Sequence, residues 1–287
     1  MLSKSERFAK WVFLVAARAL TLVLLLAASA CSGDTGPPDK APGTTVLLKE
    51  IEVPHLPSPF YHFEYDTQGR ITAASYAAGL FTYDLSYAGG RLAEIRNNTF
   101  ANQDRLTYVY DNSGRVGEIR FTNAAGLLFT RLQLVYAGQK LTRIDRFVLS
   151  NSTFINDQTL SMSYDSDGNL LELTEHLAAI EGVQPEATFV DRFEQYDTGL
   201  NVDAFDLLHP GFFDHLILLP GVELQRGNPG KQTRSGDGIN FSVSFTYTYD
   251  DQNKPVTKTG DLVFTNGPDA GRHFQTGSLF SYYPLTD

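Results

Sequence analysis

Of 287 residues, one is cysteine and one is tryptophan. The lone Cys31 excludes a disulfide framework and a cysteine-based zinc site. Basic residues are scarce too: 23 Lys and Arg stand against 33 Asp and Glu, giving a net charge of −10 and a pI near 5.0. That balance argues against a nucleic-acid binder, whose affinity rests on counterion release from phosphates. No apolar run approaches the ~20 residues a membrane-spanning helix requires. Chemistry-bearing motifs are absent as well: the chain has no GxSxG elbow, no HExxH, no Walker loop and no GxGxxG after a strand. What it does have is 42% hydrophobic and 20% charged residues, the composition of a foldable globular chain rather than a disordered one.

The amino terminus reads as a signal peptide over residues 1–30. Lys4, Arg7 and Lys10 precede a ten-residue apolar run, Ala19 to Ala28, which leads to Ala28-Ser29-Ala30-Cys31. Two processing schemes fit the same bond after Ala30. It is an A-x-A site for ordinary signal peptidase, and it also resembles a bacterial lipobox, in which the cysteine is diacylated and becomes the new terminus. The position of the only cysteine, the oxidation liability of a free exported thiol, and the Pro- and Gly-rich segment from Ser32 to Thr45 favour lipidation of Cys31. Two or more acyl chains then hold a protein stably on a membrane, at about 0.8 kcal/mol per buried CH₂. Ser32 after the cysteine is compatible with sorting to the outer membrane. Loss of residues 1–30, with Lys4, Arg7, Lys10 and Arg18 against Glu6, shifts the charge from −10 to −13.

From residue 46 onward the sequence repeats. Tyr65-Asp66-Thr-Gln-Gly69-Arg70-Ile71, Tyr110-Asp111-Asn-Ser-Gly114-Arg115-Val116 and Tyr164-Asp165-Ser-Asp-Gly168-Asn169-Leu170 share one pattern. Tyr87-Ala-Gly-Gly90-Arg91-Leu92 and Tyr136-Ala-Gly138-Gln-Lys140-Leu141 are a shorter version; Tyr196-Asp-Thr-Gly199 and Tyr249-Asp-Asp-Gln-Asn253-Lys254 are degenerate copies. In the long version the Asp opens a type I turn and the Gly, or Asn253, takes the left-handed position of a G1 bulge. In the short version Gly90 and Gly138 belong to two-residue I′ or II′ turns. Both loop lengths predict the same cross-strand pair, a tyrosine opposite an aliphatic residue: Tyr65 with Ile71, Tyr87 with Leu92, Tyr136 with Leu141. Flanking segments alternate with period two, as in Phe241 to Tyr249, so half-buried antiparallel strands are expected, about 14 between Val46 and Tyr283.

Two stretches stand outside the pattern. Asn201 to His209 starts with an N-cap residue and is expected to form a short helix ended by Pro210-Gly211, with apolar residues 212–219 after it, a cover for exposed core or a ligand lid. Arg226 to Gly238 is expected to be a solvated loop. Asp206, His209, Asp214 and His215 carry metal-ligating groups, but the Pro-Gly break spoils a helical register, and no metal or other cofactor is expected. Asp165 to Asn169 resembles a calcium loop with glycine misplaced and His176 at the twelfth position, so a hairpin turn is the expectation there. His55, His62 and His273 are expected to be structural or exposed.

The pattern Y-x-Y-D-x-x-G-R, best seen from Tyr108 to Val116, resembles the tyrosine–aspartate (YD, RHS-type) repeat. With the lipobox, the chain is similar to a bacterial lipoprotein family of unknown function whose domain has a porin-like antiparallel β fold. The resemblance implies an all-β meander of hairpins forming a curved sheet or porin-like barrel over residues 46–287, preceded by a tether at 31–45, and an outer-membrane or cell-surface location. It supplies no catalytic residues. A lipid-embedded barrel would need an apolar outer band and aromatic girdles, whereas these strands alternate toward Ser and Thr, so a water-exposed sheet or barrel is expected. The function expected is a non-enzymatic binding or scaffold module for a glycan, peptide or protein. The alternative is an envelope glycan hydrolase built from scattered carboxylates in a cleft.

Overall fold

The structure, a computed structural model, describes residues 46–99, 102–209 and 215–284. Signal, Ala30, Cys31 and tether lie outside the described residues, as does Asp214. Sixteen strands are present among the described residues, two more than the repeat count predicts. They are β1 (Leu48–Glu52), β2 (Tyr61–Tyr65), β3 (Ile71–Tyr76), β4 (Phe81–Ala88), β5 (Arg91–Asn97), β6 (Arg105–Tyr110), β7 (Val116–Thr122) and β8 (Leu128–Ala137). Then follow β9 (Lys140–Ser150), β10 (Thr153–Tyr164), β11 (Leu170–Leu177), β12 (Ala187–Tyr196), β13 (Pro229–Gly236), β14 (Phe241–Tyr249), β15 (Pro255–Phe264) and β16 (His273–Tyr282). Each pairs antiparallel with its sequence neighbours, and β1 pairs with both β2 and β16, so the sheet closes into a barrel. Closure leaves no sheet edge exposed.

The turns form as the local chemistry requires. Asp66 Oδ1 accepts from the backbone N–H of Gln68 and Arg70 at 2.9 and 3.0 Å, and Asp111 Oδ1 does the same for Ser113 and Arg115. Asp165 caps Asp167 and Asn169 in the third copy. The residues that follow adopt positive φ: 73° at Gly69, 78° at Gly114, 88° at Gly168 and 61° at Asn253. Gly89 and Gly90 are both left-handed, the signature of a I′ turn, whereas Gly138 alone is left-handed in its loop, as in II′. Tyr65 faces Ile71, Tyr87 faces Leu92 and Tyr136 faces Leu141.

These turns, with that between β14 and β15, share one end of the barrel, the hairpin end; the chain also reaches Leu48 and Tyr282 there. At this end each even strand offers a tyrosine whose hydroxyl donates to a carbonyl of the preceding odd strand. Tyr65, Tyr87, Tyr110, Tyr136, Tyr164, Tyr196, Tyr247 and Tyr282 bond Leu48, Ile71, Leu92, Val116, Leu141, Leu170, Pro229 and Pro255 at 2.7 to 3.3 Å. The loops joining odd strands to the next even strand lie at the far end, so this girdle ties together strands that no hairpin links here. The basic residue of a turn packs over the next tyrosine ring, as Arg70 does on Tyr87 at 4.8 Å and Arg115 on Tyr136 at 4.6 Å.

The alternation puts apolar side chains inside. On β14, Phe241 and Val243 are buried while Ser244, Thr246 and Thr248 are exposed. The outer wall carries Asp84, Ser86, Ser161, Ser163, Arg192 and Glu194. The lumen is filled by residues 197–209 and 215–228 of the segment that connects β12 to β13. Phe205, Leu208, Leu216, Ile217 and Leu224 from this insert share one buried cluster with Ile71, Leu92, Ile119 and Leu141 of the wall.

Three expectations require correction here. No α-helix exists among the described residues, and within Asn201 to His209 only Ala204 to Leu208 form turns. Nine residues are too few to hold a helix without tertiary help, and Val202 to Asp206 are all buried, so no side of the segment faces water. Lys258 binds Asp203 at 3.0 Å and Tyr61 binds Asp206 at 2.7 Å, and these separate anchors set the path. The segment expected as a solvated loop from Arg226 to Gly238 contains β13. Gln232 and Arg234 point inward onto Asp191, and β12 and β14 satisfy both backbone edges, so neighbours impose a strand on a polar sequence. The Tyr196-Asp-Thr-Gly199 copy makes no hairpin; it launches the insert, although Tyr196 keeps its place in the girdle.

Candidate functional site

The described residues of the insert reach from one end of the lumen toward the other. Its stem is fastened at the hairpin end, where Asp197 Oδ1 accepts from the N–H of Asn228 at 2.9 Å and Asn169 Oδ1 accepts from the N–H groups of Arg226 and Gly227 at 2.8 and 3.1 Å. Asn169, the fifth residue of the calcium-like stretch, thus serves the insert, and Asp165 serves its own turn. Midway, Tyr108 donates to Leu218 O at 2.8 Å. Toward the far end Phe205 packs edge-on against Tyr61 at 4.7 Å.

Of the four grouped candidates, Asp206 and His209 meet around Tyr61, whose hydroxyl donates to Asp206 Oδ1 and contacts His209 Nδ1. Burial, then the Asp206 charge, pushes the Tyr61 phenol well above its usual range. His215 lies apart, 3.5 Å from Asp104 and edge-on to Phe121. No group of three or more His, Cys, Asp or Glu suited to a metal occurs among the described residues. His55 is exposed, while His62 contacts Glu50 at 3.2 Å and His273 contacts Asp261 at 3.0 Å.

The inner wall also has a polar sector on β9 to β13 that the sequence reading missed. Arg146 grips Asp157 through two nitrogens, Gln158 donates to Glu175 at 2.7 Å, and Arg234 grips Asp191. These inward carboxylates are paired with cations or hydrogen-bonded by amides, which is how buried charge is tolerated. The space beside Glu175 and Asp191 is only about 10 Å³, and an apolar cavity between the insert and β3 to β5 is about 40 Å³. Neither admits a sugar ring.

A larger recess opens at the hairpin end. This cleft of about 810 Å³ lies between the β10–β11 turn, the end of β12 and the insert stem, and includes Asp167, Glu194, Gln195, Tyr196 and Arg226. Gln195 sits there at φ 60°, between the Glu194–Lys231 and Tyr196–Pro229 pairs of β12 with β13. Glu194 is held by Lys231 at 3.1 Å, and Tyr249 and Asn228 occupy Asp197. The cleft therefore offers a mixed polar rim with an aromatic floor, suited to holding a hydrated ligand.

The architecture has solved counterparts. A porin-like protein from Bacteroides uniformis ATCC 8492 superposes with a TM-score of 0.56 at 12% identity, covering 84% of this chain and 98% of the other. A porin-like protein from Bacteroides vulgatus ATCC 8482 gives 0.52 at 17% identity, over 83% and 100%. These likenesses establish the porin-like antiparallel barrel as the fold. No family model matches the chain, and no curated protein matches it in sequence.

Proposed function

We propose that this protein is a non-enzymatic cell-envelope lipoprotein, anchored through Cys31 after cleavage at Ala30, whose barrel stands in water and serves as a binding or scaffold module. The observation that carries the reading is the polarity of the wall. A lipid-spanning barrel turns an apolar band outward and a polar face inward; here Ser, Thr, Arg and Glu face out with only scattered apolar residues such as Val135, Leu171, Val256 and Leu279, and the described insert residues with the inner apolar residues pack the lumen. Such a barrel is neither matched to a bilayer nor open as a channel. The hairpin repeats are taken as YD-type on their motif and on the girdle that the motif builds. The cleft beside Tyr196 is the recess with room for a glycan or peptide, and the chain leads from the tether into the barrel at this same end.

Mass spectrometry of the mature terminus from a native envelope tests the anchor. The expected product begins at an acylated Cys31, and Cys31→Ala partitions into the aqueous phase; an unmodified, soluble cysteine form rejects the lipoprotein reading. Planar-bilayer recording tests the barrel: no conductance steps are expected, and stable single-channel currents would reject it.

A further inference from the structure

The outer wall holds an arrangement that composition conceals. Arg96 on β5 stands directly opposite Arg105 on β6, and Arg120 on β7 directly opposite Arg131 on β8. Thr107, two residues beyond Arg105, is the partner of Arg120, so the two pairs join into one diagonal row. Like charges directly opposite on one face of a sheet are destabilising, and this chain carries a net charge of −10, so a four-arginine row is the reverse of its general character. Carboxylates do not neutralise it fully. Arg120 is held by Glu118 at 3.0 Å. Asp84 faces Arg96 from β4 without forming an ion pair, and Arg105 and Arg131 have no ion pair among the described residues. The guanidinium of Arg131 stacks over Phe147 at 4.8 Å and Phe154 at 5.2 Å, with its buried Nε unpartnered. The stack fixes the plane of this cation.

We propose that this row binds an acidic polysaccharide bearing sulfate or uronate groups. Guanidinium matches the planar, two-oxygen geometry of carboxylate and the similar face of sulfate. Four cations over three strand spacings, about 15 Å, suit a chain charged once every sugar or two. Duplex DNA, with a charge every ~1.7 Å, would meet the acidic remainder of the barrel. The row lies toward the end of the barrel away from Leu48. The inference draws on the envelope reading only for exposure to glycans.

The test uses full-length mature protein, with heparin and polygalacturonate as probes and titration at several salt concentrations. At least one probe is expected to bind at physiological ionic strength, with affinity falling as salt rises. Arg105→Gln and Arg131→Gln should each weaken it about 10-fold, the loss of one charge-assisted contact, and flatten the salt dependence. Arg192→Gln, on the outer wall of β12, should leave it unchanged. Arg105→Gln should melt no lower than the parent, because repulsion is relieved, whereas Arg131→Gln also loses its contacts with Phe147 and Phe154. Failure of both probes to bind, or binding indifferent to Arg105 and Arg131, overturns the proposal. Tighter binding through the same arginines to an oligonucleotide or to phosphatidylglycerol vesicles overturns the choice of ligand. An unmodified Cys31 would reject the anchor while leaving this result standing.

Discussion

The hydroxyl of Tyr110 donates to the carbonyl of Leu92 at 2.8 Å, and Leu92 is the residue that faces Tyr87 across the preceding hairpin. One side chain thus spans the seam between two hairpins, and the relation recurs around the barrel. Tyr110→Phe should keep the ring packing and leave the Leu92 carbonyl without that donor. A loss of about 1 kcal/mol is expected, measured by urea unfolding; unchanged stability would show that the girdle's hydroxyls contribute nothing.

The girdle also sets the alkaline limit of the fold. Burial, opposed by Arg70 at Tyr87 and by Arg115 at Tyr136, pushes both phenols up to about 12, and Tyr65, Tyr164, Tyr196 and Tyr282 are raised further. An unfolded chain ionises its tyrosines near 10. Stability is therefore fully present below pH 10 and lost as pH rises through the folded values. Tyrosinate absorbance and far-UV circular dichroism should change together, at a pH well above 10; ionisation near 10 with the fold intact would contradict the girdle.

At the acid side the turn aspartates act. Hydrogen bonds from the Arg115 backbone and side chain hold the Asp111 carboxyl below its ordinary value. Its contribution is present above the unfolded carboxylate range and lost as pH falls through the folded value, so Asp111→Asn should flatten the acid limb of a stability–pH curve.

Gly114→Val places a β-branched residue at φ 78°. The new Cβ would lie 3.0 Å from Arg91 Nη2, the end of a flexible side chain that can move, so backbone strain of about 1–2 kcal/mol dominates. Asn253→Gly, at φ 61°, should be close to neutral. Equal melting temperatures for the two variants would refute the assigned turn conformation.

Lys258 and Asp203 form a buried pair at 3.0 Å, both under 5% exposed. Lys258→Met strands the carboxylate and should cost about 3–5 kcal/mol. Adding Asp203→Leu should recover most of that loss. Proteolysis within residues 197–228 gives a second readout, accelerated in the single variant and slowed again in the double.

Hairpins were legible because their determinants are local: Asp66 needs only the N–H groups of Gln68 and Arg70, and Gly69 only its own freedom at positive φ. β13 was illegible because Lys231 to Ser235 has no apolar alternation; Asp191 on β12 draws Gln232 and Arg234 inward. The insert misled for the opposite reason. Asn201 carries a helix-start signal, and its Oδ1 does accept from the N–H of Asp203 at 3.1 Å, but Lys258 and Tyr61 then claim Asp203 and Asp206 from distant parts of the barrel wall. The arginine row escaped notice because Arg96, Arg105, Arg120 and Arg131 are scattered in sequence and meet only through strand register.

The order of turns, the inward and outward faces of most strands, and the repeat of tyrosines were specified by near neighbours in the chain, since turn conformation and period-two alternation are energies of a few adjacent residues. Closure was decided by pairing between Ile51 and Phe280, and the fate of residues 197–228 by a lumen that exists only after closure. Those contacts join segments far apart in sequence, where local preference exerts no control and burial and hydrogen-bond satisfaction choose the arrangement.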